Sequence, residues 1–297
     1  MFTIRLISFI NRSFFKTAYT VPRIFLLPLI FIVLTLCSTN GYGQMVKDGE
    51  DESRLYAQTK QINQFFRRFN GEEDEKGERY YPNNKQYRNV KLRKKYLSIL
   101  FDENNGGISK DLQVQFAKDV LEKNLFLNFH GGNWFAEVHT IFTMNGKDQP
   151  VTLFMELEKH HQGTRWIISK VYADMFEPYF KRDTTKIGQF LHPLSHELAF
   201  MNLRKAFNNP DSANHYINKR FRPDHSTLFL YEVKRGNLRF KTVEDMKFHF
   251  FQAAGWYFEL SLFNRPGYNT GWLISNLVKI NTDKDKEILR KHLYYEK

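Results

Sequence analysis

His192 and His196 are four residues apart, the spacing that sets two imidazoles on one face of a helix, where they can share a divalent metal. A zinc protease also needs a glutamate between its histidines; here Glu197 follows the pair, and Pro193 places His192 at a helix start. An ordinary polar first turn is therefore the reading, and no metal is expected. His130-Gly131-Gly132-Asn133-Trp134 offers backbone amides of the kind that line an oxyanion hole, but the chain has no Gly-x-Ser-x-Gly elbow to supply a nucleophile. That stretch reads as a glycine turn feeding a strand, and His160-His161, beside Gln162-Gly163, as a solvated hairpin tip. Cys37 is the only cysteine and lies ahead of the expected mature start, so a thiol nucleophile, a thiolate metal site and disulfides all drop out. No motif asks for a cofactor, and none is expected.

The elements that must carry any remaining chemistry fall into two similar runs. Helical spacing covers Leu55 to Phe69, Val90 to Phe101, and Ser109 to Asn124 with Ser109 as N-cap, and a charged loop spans Gly71 to Tyr87. Strands follow. From Trp134 to Met144 the alternation, with Phe135 aside, puts Trp134, Ala136, Val138, Thr140, Phe142 and Met144 on one face, with Glu137 and His139 on the other. Asn145-Gly146 signals a hairpin turn into Val151 to Glu158, and Arg165 to Ala173 supplies a third strand. The second run has helices at Pro193 to Phe207 and Pro210 to about Phe221. Its expected strands are Thr227 to Lys234, Leu238 to Phe240, Met246 to Ala253, Trp256 to Phe263 and Trp272 to Ile280. Phe154-Met155-Glu156-Leu157 and Trp166-Ile167-Ile168-Ser169 parallel Phe258-Glu259-Leu260 and Trp272-Leu273-Ile274-Ser275, which points to an internal duplication. Both tryptophans, with Phe65, Phe66, Phe250, Phe251 and Trp256, are expected in the core.

Helices first and long antiparallel strands after, closed by the Trp166-to-Val171 strand, resemble the NTF2-like (SnoaL-like, cystatin-like) superfamily. The resemblance implies an α+β fold of two tandem helix-then-sheet modules, residues 55–180 and 190–297. In enzymes of that superfamily an Asp or His acid–base pair sits at the open end of a cone, which makes His139, Glu156 and Asp174 the pocket candidates, with Glu259 at the place matching Glu156. Outward-facing strand charge is the alternative for these residues. The fold hosts enzymes, binders and scaffolds alike, so it constrains function weakly.

Residues 24–37 are an unbroken apolar run behind Arg5, Arg12, Lys16 and Arg23, ending in small and polar residues. This predicts an export signal over 1–43 and a flexible leader over 44–54; an uncleaved inner-membrane anchor is the alternative. The Gly41-Tyr42-Gly43-Gln44 ending resembles Bacteroidetes signals. Without the four basic residues of the signal the formal charge falls from +12 to +8. That balance suits anionic lipid or cell-wall glycan, while export argues against nucleic acid. The basic stretches Lys91 to Lys95 and Lys219 to Arg222 read as solvated helix faces. Tyr80-Tyr81 and Tyr294-Tyr295 place amphipathic rings in a loop and a terminus, where contact surfaces are enriched in aromatics. The expectation is a non-catalytic periplasmic or outer-envelope protein that contacts other envelope proteins, as part of a secretion, transfer or surface-assembly apparatus. A small-molecule or glycan binder, or an enzyme using the cone, is the alternative.

Overall fold

A computed structural model describes residues 61–104, 106–161, 163–180, 200, 201, 203–208, 210–218, 220 and 223–296. The expected signal, its leader and the His192/His196 pair lie outside these residues. The described part is α+β and belongs to one compact unit. Three helices come first: α1 (Ile62–Asn70), α2 (Val90–Ile99) and α3 (Lys110–Glu122). They lead into β1 (Trp134–Met144), β2 (Lys147–His160) and β3 (Gly163–Tyr172). Helix α4 (His225–Lys234) then precedes β4 (Leu238–Phe250), β5 (Trp256–Phe263) and β6 (Gly271–Lys279), and α5 (Asp283–Leu293) follows. All six strands form a single antiparallel sheet in the order β3-β2-β1-β4-β5-β6. The two three-stranded meanders thus share one sheet, joined along β1 and β4. No helix among the described residues is long and apolar enough to cross a membrane.

Local chemistry explains most element boundaries. Ser109 Oγ accepts the Leu112 amide and opens α3. Asn145 and Gly146 both take positive φ, 52° and 75°, as the tight turn between β1 and β2 requires. Gly71 ends α1 at φ 69°, and a Cβ there would meet Arg93 Cγ at 2.6 Å, so both backbone and neighbour demand glycine. Three sequence expectations need correction. Thr227 to Lys234 is helix, because Asp224 Oδ1 caps it through the Thr227 amide at 2.8 Å and Phe229 packs inward, overriding a β-rich composition. Leu238 to Phe240 and Met246 onward are one strand, β4; register shifts against His139/Thr140 and Ile141/Phe142 absorb the polar stretch between them. The helix expected from Pro210 is a 3-10 turn, Pro210–His215.

The helix-facing side of the sheet is filled with rings. Trp134 and Phe250 stack at 5.3 Å, and Phe250 stacks on Phe258 at 4.8 Å, so three strands carry one aromatic ladder. Phe65, Phe66 and Phe69 of α1 press onto it, and Phe116 of α3 meets Trp256 edge-on at 5.3 Å. The coverage is crossed. Helices α1–α3 precede the first meander yet lie over the second, where the chain after α2 pairs with Ile274 and Arg265 grips Asp102 at 2.6 Å. Helix α4 precedes the second meander yet fastens to the first: Ser226 Oγ accepts the Val171 amide, His225 Nδ1 accepts the Ala173 amide, and Phe229 meets Phe142.

Phe65, Phe66, Phe250, Phe251, Trp256 and Trp272 are buried as expected, but Trp166 is 39% exposed. It sits on the outer strand beyond the helical cover, touching Trp134 edge-on. Arg93 corrects the solvated reading of the α2 basic stretch. It is fully buried, held by the Phe69 and Leu125 carbonyls and lying over Phe126. Burial, and then nearby Arg88, lower its pKa to about 10.

Candidate functional site

The opposite face of the sheet carries the polar residues that alternation sends there. Register places Phe135 beside His249 and Glu137 beside Lys247 across β1 and β4, with Tyr257 and Glu259 one strand further on β5. Glu137 and His249 are buried, at 6% and 1% exposure. His249 donates from Nε2 to Glu137 Oε2 at 2.8 Å, and its Nδ1 lies 2.8 Å from the Tyr257 hydroxyl. Glu137 Oε1 accepts the Tyr295 hydroxyl at 2.9 Å and lies 3.3 Å from His139 Nε2. His139 Nδ1 in turn lies 3.3 Å from Thr152 Oγ1. A cleft of about 380 Å³ opens beside this cluster, lined by His139, Lys247 and Glu259 from the sheet and by His292 and Tyr295 from the C-terminal segment.

The electrostatics follow from this packing. Burial alone would push the Glu137 carboxyl up. The His249 hydrogen bond and charge, the Tyr295 hydroxyl and His139 outweigh it and hold the carboxyl below the usual range. Burial, with Glu259 and Glu137 nearby, drives the Tyr257 phenol up, and burial together with the bond to Glu137 does the same to Tyr295. Both phenols therefore stay protonated donors. The arrangement can hold a carboxylate ionised away from water, but every oxygen of Glu137 and both nitrogens of His249 already have partners within the chain.

The residues singled out from sequence fall as follows. His139 and Glu259 line the cleft. Glu259 pairs with Lys247 at 3.4 Å and accepts from Ser275. Glu156, on β2, accepts the Tyr294 hydroxyl at 2.8 Å at the same face. Asp174 does not reach the cleft; it accepts the Tyr172 hydroxyl at 2.7 Å, and Tyr172 is a cleft residue. The Tyr172–Asp174 bond, with burial, pushes that phenol up to about 12. His130 leads the turn into β1, as expected, and contacts Thr164. Family models, characterised proteins and solved structures give no match to this chain. Among the described residues no group of three or more His, Cys, Asp or Glu side chains is arranged to hold a metal.

Sequence reasoning missed His249 and Tyr257, the inner half of the cluster, and gave Tyr295 only a surface role. His249 was findable in principle. With β4 drawn as one strand, Phe248 and Phe250 face the core and His249 must face the polar side. Helix α5 was missed as well, although Thr282 and Asp285 form a capping box that marks its start.

Proposed function

We propose that this is a non-catalytic contact protein of the cell envelope, exported by its N-terminal segment, whose sheet is a rigid platform for other proteins. One observation carries the reading: the chain's own side chains fill the helix-covered side of the sheet and take up the hydrogen-bonding atoms of the buried polar pair on the other. Rings fill the space under the helices, and Tyr294 and Tyr295 are bonded into the polar cluster on the other face. A catalytic dyad needs a nitrogen or carboxylate oxygen turned to substrate, and Glu137 and His249 spend theirs internally. The reading keeps the likeness to two NTF2-like modules, now joined through β1 and β4 into one sheet. The test is crosslinked recovery of the tagged protein from its native envelope, with the mature N-terminus read in the same sample. Recovery with secretion-apparatus or other envelope proteins supports the proposal; recovery of the chain alone overturns it.

A second reading rests on the cleft itself. His139, Lys247 and Glu259 line a space large enough for a small polar molecule, with the Glu137–His249 pair beneath. A thermal-shift screen on the wild type and His139→Ala checks it. A ligand that stabilises only the wild type favours the binder.

A further inference from the structure

The C-terminal segment is held on the sheet in an uneven way. Helix α5 has no buried residue; Leu289 and Leu293 only partly cover the cluster of Phe135, Phe154, Phe251 and Tyr257. The firm contacts belong to the three residues after it. The Tyr294 ring lies on Phe135, with centroids 4.6 Å apart and planes 21° from parallel, and its hydroxyl donates to Glu156. Tyr295 stacks on Tyr172 at 4.7 Å and 15° and donates to Glu137. Glu296 pairs with Lys170 at 2.8 Å. The sheet thus presents two ring platforms, each beside a carboxylate acceptor, and then a cation. Those fittings match a phenol, a second phenol and an acid in that order.

All the fittings lie on β1, β2 and β3, whereas α5 leaves from β6 at the far edge. The helix crosses the second meander to bring the tail to the first. Its 11 residues rise about 16 Å, and the step from β6 to β1 is three strand spacings, about 14 Å, so the span is reached without slack. Only Ile280, Asn281 and Thr282 join α5 to β6. A helix without buried residues, a short hinge and a seat built on the other half of the sheet are the ingredients of segment exchange. The seats of Tyr294, Tyr295 and Glu296 are side chains of β1–β3, which offer the same bonds to a tail from another copy.

We propose that the groove on β1–β3 is a docking site for a Tyr-Tyr-Glu segment, and that a second copy of this chain supplies it by exchanging its C-terminal helix and tail. This rests on the contact-protein reading above and adds a second copy of the chain to the envelope proteins that reading names.

The test co-expresses two differently tagged full-length copies in the native envelope, both with Cys37→Ser so that no native thiol remains. One copy carries Lys170→Cys and the other Glu296→Cys. They are treated with a thiol crosslinker that spans what the lysine and glutamate side chains span. Exchange gives a covalent band of twice the chain mass carrying both tags, and the double variant Lys170→Cys/Glu296→Cys gives the intrachain link as well. An intrachain link with no mixed band means that the tail stays on its own chain, and the proposal falls. No link of either kind means that the groove is not the tail's seat, and it falls too. A mixed band equally strong when Lys91→Cys, at an exposed position of α2, replaces Lys170→Cys marks collision and also overturns it. If exchange fails while envelope proteins are still recovered with the chain, the contact reading stands; if both fail, both are lost.

Discussion

Trp166 and Trp272 hold matching places in two meanders of similar sequence, yet Trp272 is 5% exposed and Trp166 39%. The difference lies above the strands rather than in them. Over β4–β6 helices α1 and α3 supply Phe65, Phe69 and Phe116, and the chain after α2 adds Phe101 and hydrogen-bonds to the edge strand β6 at Ile274. Over β1–β3, among the described residues, the cover is α4, fastened to the edge strand by Ser226 and His225, and the short turn that carries Phe176. A sheet strand's burial is set by what its face receives, so repeated strand sequences with unequal covers give unequal cores. The thinly covered half is also the half whose other face seats the C-terminal tail.

The contrast predicts its own largest effect. Trp272→Ala, which removes a ring packed edge-on to Phe248 at 4.8 Å, should cost about 3–5 kcal/mol. Chemical denaturation at constant slope reads this directly. A loss below about 1 kcal/mol would show that the second meander is no better packed than the first.

The next effect concerns what joins the halves on the polar face. Glu137 belongs to β1 and His249 to β4, so Glu137→Gln weakens a buried bond across the central seam and the seat of Tyr295. A loss of about 2–3 kcal/mol is expected. The pH dependence has a definite sign. The folded carboxyl is held below its unfolded value of 4.5, so its contribution is complete above that value and is lost as pH falls through the folded pKa. Wild type should therefore destabilise more steeply than Glu137→Gln below pH 4.5. Parallel curves would mean that the carboxylate contributes nothing across the seam.

Sequence showed the strands of the first meander better than those of the second, for physical reasons. Trp134 to Met144 alternates, with Phe135 aside, because one face meets rings and the other mostly polar groups, and Asn145-Gly146 fixes the turn. In β4 the residues Arg239 to Asp245 extend past any cover and are exposed on both faces, which erases the alternation and splits the strand on paper. Residues 227–234 are rich in β-formers and are helical only because Asp224 caps them and Phe229 finds Phe142. The polar cluster was half legible. Strand parity sends His139 and Glu137 to one face, and the matching places of the two halves single out Glu156 and Glu259, whereas the pairing of Glu137 with His249 depends on which strands become neighbours, and no local pattern encodes that. Arg93 reads as solvated charge and Glu73 belongs to the expected charged loop, yet both are fully buried. The partners of Arg93 are the Phe69 and Leu125 carbonyls, distant in sequence and brought close by the fold, whereas Glu73 pairs with Arg67 and Arg68 just before it in the chain, where Gly71 turns the loop back on the end of α1.

Trp166→Ala sharpens the contrast from the weaker side. The ring keeps an edge contact with Trp134 and a tilted one with Phe248 but leaves much of its surface in water, so its loss should cost about 1 kcal/mol. The comparison rests on the difference from Trp272→Ala. Equal losses would mean that a partner or another element covers Trp166 in solution, and hydrogen exchange along β3 would then show protection like that of β6.

The smallest effect tests how the thin cover is fastened. His225 Nδ1 accepts the Ala173 amide, and its ring stacks on Tyr172 at 5.0 Å, so the neutral imidazole is the form that fits. Burial lowers its pKa below 6.5; Lys170 works in the same direction, while Glu177 and Asp224 oppose it. The unfolded chain then takes up the proton first, and stability falls as pH drops from 6.5 towards the folded value, by no more than about 1.4 kcal/mol per pH unit for one proton. His225→Asn keeps an acceptor for the Ala173 amide but cannot titrate, so it should change stability by less than about 1 kcal/mol at pH 8 and remove this component of the slope. Denaturant midpoints at half-unit steps from pH 8 to pH 5 decide it. A variant whose slope matches the wild type would show that α4 is held on β3 by Ser226 and the Phe229–Phe142 contact, with His225 adding nothing that a proton can undo.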